Sequence, residues 1–304
     1  MLNFSYNLSN TLRSNLQQID SAKDNILLTQ LYPLQEQDLR WNATIDRIYW
    51  ALALLGEPPT KRQIKNAFNP QKSTKTKEKK IIALKNTHAY INAYWVLSPY
   101  PITSETLLEL ATLLKLTISE IKRENLTSLM DYLNTNPENA IINAAIAYIQ
   151  LIHLFPQHTP LAQAVAYLIL YKAGYNLKGL LVLEEAWKKD TLTLERSIRR
   201  GLEEKNITLW LEHFTYAMLV QSEKARNVLR SPRPSPQIHL VDLNSRQKLI
   251  LSLLEEPGST VSNRRVQQLF KVSQITASRD LAKLVSLDLV FPHGKGRSTV
   301  YTKV

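Results

Sequence analysis

From Trp41 to about residue 230 the apolar residues recur every three or four positions in a series of short segments, the period of helices that bury one face. Ile45, Ile48, Tyr49, Leu52 and Leu55 set the first of them, Trp41 to Leu55, and Gly56-Glu57-Pro58-Pro59 stops it. Thr60 is placed to cap a short helix through Phe68. The helical pattern returns over Ile81 to Val96, Ser104 to Leu116, Ser119 to Leu133, Ala140 to Ile152 and Thr159 to Ala173. It continues over Leu181 to Trp187, Leu192 to Leu202 and Thr208 to Val228. Residues 1 to about 40 read as polar and weakly periodic, with Tyr32-Pro33-Leu34 breaking any helix. No strand pattern stands out before residue 285, so this part of the chain reads as packed helices with short connections.

One connection stands apart in chemistry. Ile152-His153-Leu154-Phe155-Pro156-Gln157-His158-Thr159-Pro160-Leu161 joins two apolar helices. As a plain turn it reads completely. The first helix ends near His153, Thr159 is the N-cap, and Pro160 takes the first helical position, where a missing N–H costs little. Gly174 stands where the second helix should stop.

Ser231-Pro232-Arg233-Pro234-Ser235-Pro236 is stiff and helix-breaking, the clearest boundary in the chain. Beyond it, helices are predicted over Asn244 to Leu254, Asn263 to Phe270 and Gln274 to Ser286, the last capped by Ser273. Leu289 to His293 and Ser298 to Thr302 are strand-like around the basic turn Gly294-Lys295-Gly296-Arg297. Three helices and a hairpin with a basic tip make the winged helix-turn-helix layout. The expected fold is mainly α: a helical bundle, then a small α+β winged-helix domain. Its parts are an N-terminal helical region over 1–100, a core over 101–230, a linker over 231–241 and the winged helix over 242–304.

In the helix from Gln274, residues Ala277, Leu281, Leu284 and Val285 fall on one side and should pack inward. Thr276, Arg279 and Lys283 fall opposite, with Gln274 and Ile275 near the start. A recognition helix needs this division, because its polar front enters the major groove. Arg279 suits a guanine edge or a phosphate, Ser273 and Thr276 suit phosphates, and Lys295 and Arg297 suit the adjacent backbone or minor groove.

Charge agrees with a polyanionic partner: 38 Lys and Arg against 26 Asp and Glu give a net charge of +12. The stretch from Asn69 to Lys80 adds five lysines against one glutamate and reads as a solvated run. With no cysteine, disulfides and thiolate metal sites are excluded. No apolar run approaches the roughly 18–20 residues of a membrane span, and Met1-Leu2-Asn3-Phe4-Ser5-Tyr6 lacks a signal-peptide layout. No membrane association is expected, and the cytoplasm is the expected compartment.

The loop Ile152 to Leu161 resembles the central motif of the Fic family, a His-Pro-Phe-x-Asp/Glu-Gly-Asn-Gly/Lys-Arg loop between two helices. Leu107 to Leu114 resembles the helix before that family's target-docking flap, Asn125 to Met130 the segment after it, and Asn206 to Phe214 its late helix opening on a Trp-Leu pair. Val272 to Leu281, with Gly294 to Thr299, resembles bacterial winged-helix repressor domains. The first resemblance implies transfer of a nucleotide monophosphate, usually AMP from ATP, to a protein hydroxyl. His153 stands at its general-base position and Phe155 at its packing position. Gln157 replaces the acid that holds Mg²⁺, and a carboxamide is a poor ligand there. His158, Thr159 and Pro160 replace the glycine turn, crowding the backbone and deleting an amide donor. Leu161 replaces the phosphate-binding arginine. Ala51 to Gly56 matches an inhibitory helix in position but carries Leu55 for its glutamate, and Lys115 to Arg123 leaves little room for a flap hairpin.

Phosphoryl transfer is mostly positioning and charge stabilisation, so these replacements together imply a catalytically degenerate Fic fold, with no cofactor and no metal. The expected function is a DNA-binding transcriptional regulator, a homodimer on double-stranded DNA. The alternative is an active nucleotidyltransferase of altered chemistry using His153.

Overall fold

In the computed structural model, residues 3–31, 33–68, 76–97, 101–116, 120–135, 138–230, 243–254, 259–287, 289–294 and 299–303 are described. Helices α1 (Asn10–Leu28), α2 (Pro33–Leu54), α3 (Lys61–Ala67), α4 (Thr76–Leu97), α5 (Ser104–Leu113) and α6 (Glu120–Thr135) lead to a central pair. That pair is α7 (Ala140–Leu154) and α8 (Thr159–Lys172), followed by α9 (Leu183–Lys189), α10 (Thr191–Glu204) and α11 (Thr208–Arg230). Every residue of α7 from Ile141 to Leu151 is buried, as expected of a helix apolar on all sides. Its partner α8 is buried in the same way from Leu161 to Leu168. The other helices wrap this pair: α4 and α5 lie on α8, α6 and α10 on α7, and α1 lies along α11.

An aromatic cluster fixes α11 to α7. The indole N–H of Trp210 donates to the Ala145 carbonyl at 2.7 Å, and its ring stacks on Tyr148 with centroids 4.9 Å apart. Trp187 of α9 meets Tyr148 at 5.2 Å and Phe214 at 5.8 Å, so four aromatic side chains from three helices close one end of the core.

Three sequence expectations are corrected by the fold. Residues 10–28 are not a weakly periodic tail but a full helix, capped by Ser9, whose hydroxyl accepts from Leu12 N. Leu12, Asn15, Ile19, Ala22 and Ile26 are its buried stripe, and Asn15 joins the core by donating to Thr215 Oγ1 at 3.1 Å. The proline at 33 does not simply break a helix: it opens α2, eight residues ahead of the expected start, because its fixed φ suits a first turn. Strand pairing also occurs ahead of residue 285. Ser5 forms a bridge with Asn206, and β1 (Val261–Ser262) pairs with the C-terminal strand.

The C-terminal module is small and mixed. It holds α12 (Ser245–Ser252), β1, α13 (Asn263–Phe270), α14 (Gln274–Ser286), β2 (Val290–His293) and β3 (Val300–Lys303). The sheet order is β1-β3-β2, all antiparallel, with Phe291 opposite Thr302 and Val261 opposite Tyr301. Ile250, Leu251, Val261, Val266, Ala277, Leu281, Leu284 and Val290 are among its buried residues, in an apolar cluster that also takes in Trp41, Ile45, Ile48 and Leu52 of α2. Lys271 takes a left-handed φ of +49° to close α13, and Ser273 caps α14 by accepting from Thr276 N. The expected linker over 231–241 lies outside the described residues. No helix among the described residues is long and apolar enough to cross a membrane.

Candidate functional site

The turn between α7 and α8 consumes its own donors. Phe155 N donates to Leu151 O at 2.8 Å, His158 N to Phe155 O at 2.9 Å, and Leu161 N to His158 O at 2.9 Å. The N-cap of α8 is His158, not Thr159, and its side chain makes no capping bond. Thr159 and Pro160 are therefore the first and second helical residues, one place further in than the sequence suggests. His158 takes the cap position with φ −118° and ψ 44°, and the helix already begins at Thr159. His153 lies exposed in the last turn of α7, Gln157 is exposed, and Phe155 is buried against the core.

A magnesium–nucleotide does not fit these residues. The amides of Phe155, His158 and Leu161 are spent inside the turn and Pro160 has none, which takes donors away from any phosphate oxygens there. Leu161 is fully buried, pointing its apolar side chain into the core where a phosphate clamp would be needed. Gln157 offers a neutral oxygen in place of a charged ligand. Among the described residues no group of three or more His, Asp or Glu is placed to hold a metal ion. Between α5 and α6 the described residues form no strand, and residues 117–119 lie outside them.

A polar network that the sequence reading missed joins α2, the C-terminal half of α8 and α9. Arg47 of α2 is 2% exposed, and its guanidinium donates to Tyr171 Oη at 2.9 Å and to the Leu181 carbonyl at 2.9 and 3.2 Å. It also stands over the Tyr167 ring, 5.0 Å from the centroid. Tyr167 in turn donates to Glu184 Oε2 at 2.6 Å and accepts from Leu183 N at 2.8 Å. Burial pushes the Glu184 carboxyl up to about 7, against the opposing pull of Arg47 and the Tyr167 hydroxyl. Burial, and then Arg47, push His88 of α4 well below the ordinary histidine range, so it is neutral at pH 7. The available signals were an arginine within an amphipathic helix and two glutamates, Glu184 and Glu185, between Leu183 and Trp187.

The C-terminal module carries the second candidate surface. Along α14, Gln274, Ile275, Ser278, Arg279 and Ala282 are exposed, while Ala277, Asp280, Leu281 and Leu284 are buried. The outward stripe thus follows positions 275, 278, 279 and 282 at helical spacing. Thr276 and Lys283 sit at its flanks, half-buried, and Val285 is also half-buried. The hydroxyls of Ser273 and Thr276 lie 3.0 Å apart at the N-terminus of the helix. Asn263 of α13 donates to Ser278 Oγ at 2.8 Å, fixing one helix against the other. Lys295 and Arg297, placed by the sequence at the hairpin tip, lie outside the described residues.

Asp280 anchors this helix from behind, a role the sequence pattern signalled only as a charge at a core position. Its carboxylate is 3% exposed and accepts from Arg246 Nε, from Gln247 Nε2 at 2.7 Å and from Asn244 Nδ2 at 3.3 Å. Burial alone would raise this carboxyl, but the three donors outweigh it and hold it below its ordinary range. Asp280→Ala should therefore cost the module about 2–3 kcal/mol, since Gln247 and Arg246 lose their acceptor. Asp280→Asn, which keeps an acceptor oxygen, should cost less. Chemical unfolding of the full chain, followed through the module by amide exchange, reads the difference.

The architecture matches a solved structure. Over 98% of this chain and 97% of the other, it superposes with a TM-score of 0.61 on the crystal structure of a Fic family protein from Desulfovibrio desulfuricans G20. The fold is that of a Fic family protein. At 15% identity the likeness is one of fold alone. No family model matches the sequence, and no curated protein matches it. In this chain the turn from His153 to Leu161 joins α7 and α8, the buried central pair.

Proposed function

We propose that this chain is a DNA-binding transcriptional regulator built on a catalytically degenerate Fic fold. The observation that carries the reading is the exposed face of α14, where Gln274, Ser278 and Arg279 offer hydrogen-bonding groups and the buried Asp280 holds the helix from behind. A helix apolar at the back and hydrogen-bonding at the front is what major-groove reading requires. The hairpin β2–β3 beside it fits the wing of a winged helix, and Lys295 and Arg297 are proposed to reach the neighbouring backbone. Ser273, Gln274, Thr276 and Lys283 complete the proposed DNA-binding set. A net charge of +12 supplies the long-range attraction. A homodimer is the natural form, because two-fold symmetric proteins read paired half-sites one helical turn apart.

The helical body serves in this reading as scaffold and dimerisation surface. Its α7–α8 turn has lost metal ligand, amide donors and clamp together, which leaves His153 a base with no substrate to serve. Incubating the purified chain and its His153→Ala variant with labelled ATP and cell extract should give equal, background labelling of protein. Labelling that depends on His153 would instead establish the transferase alternative. In parallel, an electrophoretic shift with a random-sequence duplex pool tests the DNA-binding reading. A retarded species that weakens with added salt is expected, and its absence at low salt refutes the proposal.

A further inference from the structure

Ile275 is the anomaly on the outward stripe of α14. Its side chain is 64% exposed, more than Leu249 at 54%, Leu253 at 45% or Leu269 at 41%, the other exposed large apolar residues described in the module. Leu249 and Leu269 lie on α12 and α13 and Leu253 is the C-cap of α12, whereas Ile275 stands in the first turn of α14. Its exposed neighbours on the same helix are Gln274, Ser278, Arg279 and Ala282. Two of these are hydrogen-bonding or charged groups with long reach. The other two, Ser278 and Ala282, are small and leave Ile275 projecting above the surface around it.

A β-branched side chain in this place gains nothing from water, and the packing of the module gains little from it. It has a natural partner in the groove that the proposed function assigns to this helix. The major groove presents hydrogen-bonding edges at every base pair but only one apolar group, the C5-methyl of thymine. We infer that Ile275 packs against a thymine methyl in the major groove and is a specificity-determining residue of the module. Gln274 beside it has the bidentate amide that matches an adenine edge, and Arg279 one turn further has the fork that matches guanine. The inference rests on the DNA-binding reading and adds to it a thymine at a fixed place in each half-site.

The test uses the full chain and a duplex selected by it from a random pool. Each thymine of that duplex is replaced in turn by deoxyuridine, which removes the methyl and leaves base pairing intact. At one thymine per half-site the wild-type chain should lose about fourfold in affinity, the value of one buried methyl group. Ile275→Ala should bind the thymine duplex more weakly by a similar factor and should lose less than about 1.5-fold on the same replacement, because the methyl then has no partner. Ile275 is exposed, so its replacement leaves the module folded. Equal losses in both proteins at every thymine, or no loss at any, would overturn the inference while leaving DNA binding in place. A wild-type chain that retains no duplex at all overturns the DNA-binding reading and this inference with it.

Discussion

Arg47→Ala should destabilise the helical body by about 3–5 kcal/mol at pH 8, because it strands a buried glutamate. The guanidinium acts on Glu184 within a cluster where Tyr167, Tyr171 and Glu184 are all buried and His88 is neutral. Removing it also leaves the Leu181 carbonyl and the Tyr171 hydroxyl without their donor. The sign of the pH dependence follows from Glu184. Its folded-state carboxyl titrates at about 7, above its ordinary value of 4.5, so the folded state holds the proton more tightly than the unfolded chain. Stability contributed by this group is therefore present at low pH and declines as pH rises through about 7. Without Arg47 the carboxyl rises further, so the defect of Arg47→Ala should deepen between pH 7 and pH 9. Adding Glu184→Gln should recover much of the loss at pH 8 and flatten that dependence. Denaturant unfolding of the four proteins of this double-mutant cycle at pH 6 and pH 9 measures both effects. A penalty independent of pH would show that the two groups do not act as a pair.

Arg279→Ala should weaken binding to a selected duplex by about 10- to 100-fold, the 1–3 kcal/mol carried by one bidentate base contact. It should also relax selection at one base-pair position while leaving the others unchanged. Lysine should replace it only in part, because its flexible, strongly hydrated ammonium lacks the rigid planar fork of the guanidinium. Selection from a random pool with wild type, Arg279→Ala and Arg279→Lys separates these outcomes. A loss spread evenly over all sequences would assign Arg279 to a phosphate instead of a base.

Much of the helical body was legible from apolar period alone, since α7, α8 and α11 carry dense runs of buried residues. The first helix was not, because its buried stripe is dilute. Asn15 occupies a core position between Leu12 and Ile19, and the remaining positions are mostly Asn, Gln, Ser and charge. Hydrophobic counting misses a polar residue whose hydrogen bond is supplied by a helix two hundred residues away, here Thr215. The same limit hid Arg47 and Asp280, both charged residues at core positions whose partners come from other helices. In the module, α13 and α14 begin and end where caps and period place them, with Ser273 as cap. The outward stripe is rotated by about one position from the simple helical wheel, which brings Ile275 to its centre and moves Thr276 and Lys283 to its flanks. The α7–α8 turn was readable in its residues but not in its capping, where His158 takes the cap position and the helix begins at Thr159.

Whether this Fic-fold chain works by holding DNA is tested most directly by the salt dependence of duplex binding. Affinity of the purified full chain for its selected duplex is measured from low to physiological salt and plotted as logarithm against logarithm. A straight fall with a slope steeper than about −3 is expected, since each neutralised phosphate contributes roughly −0.9. No retained duplex at low salt, or an affinity indifferent to salt, would contradict the account.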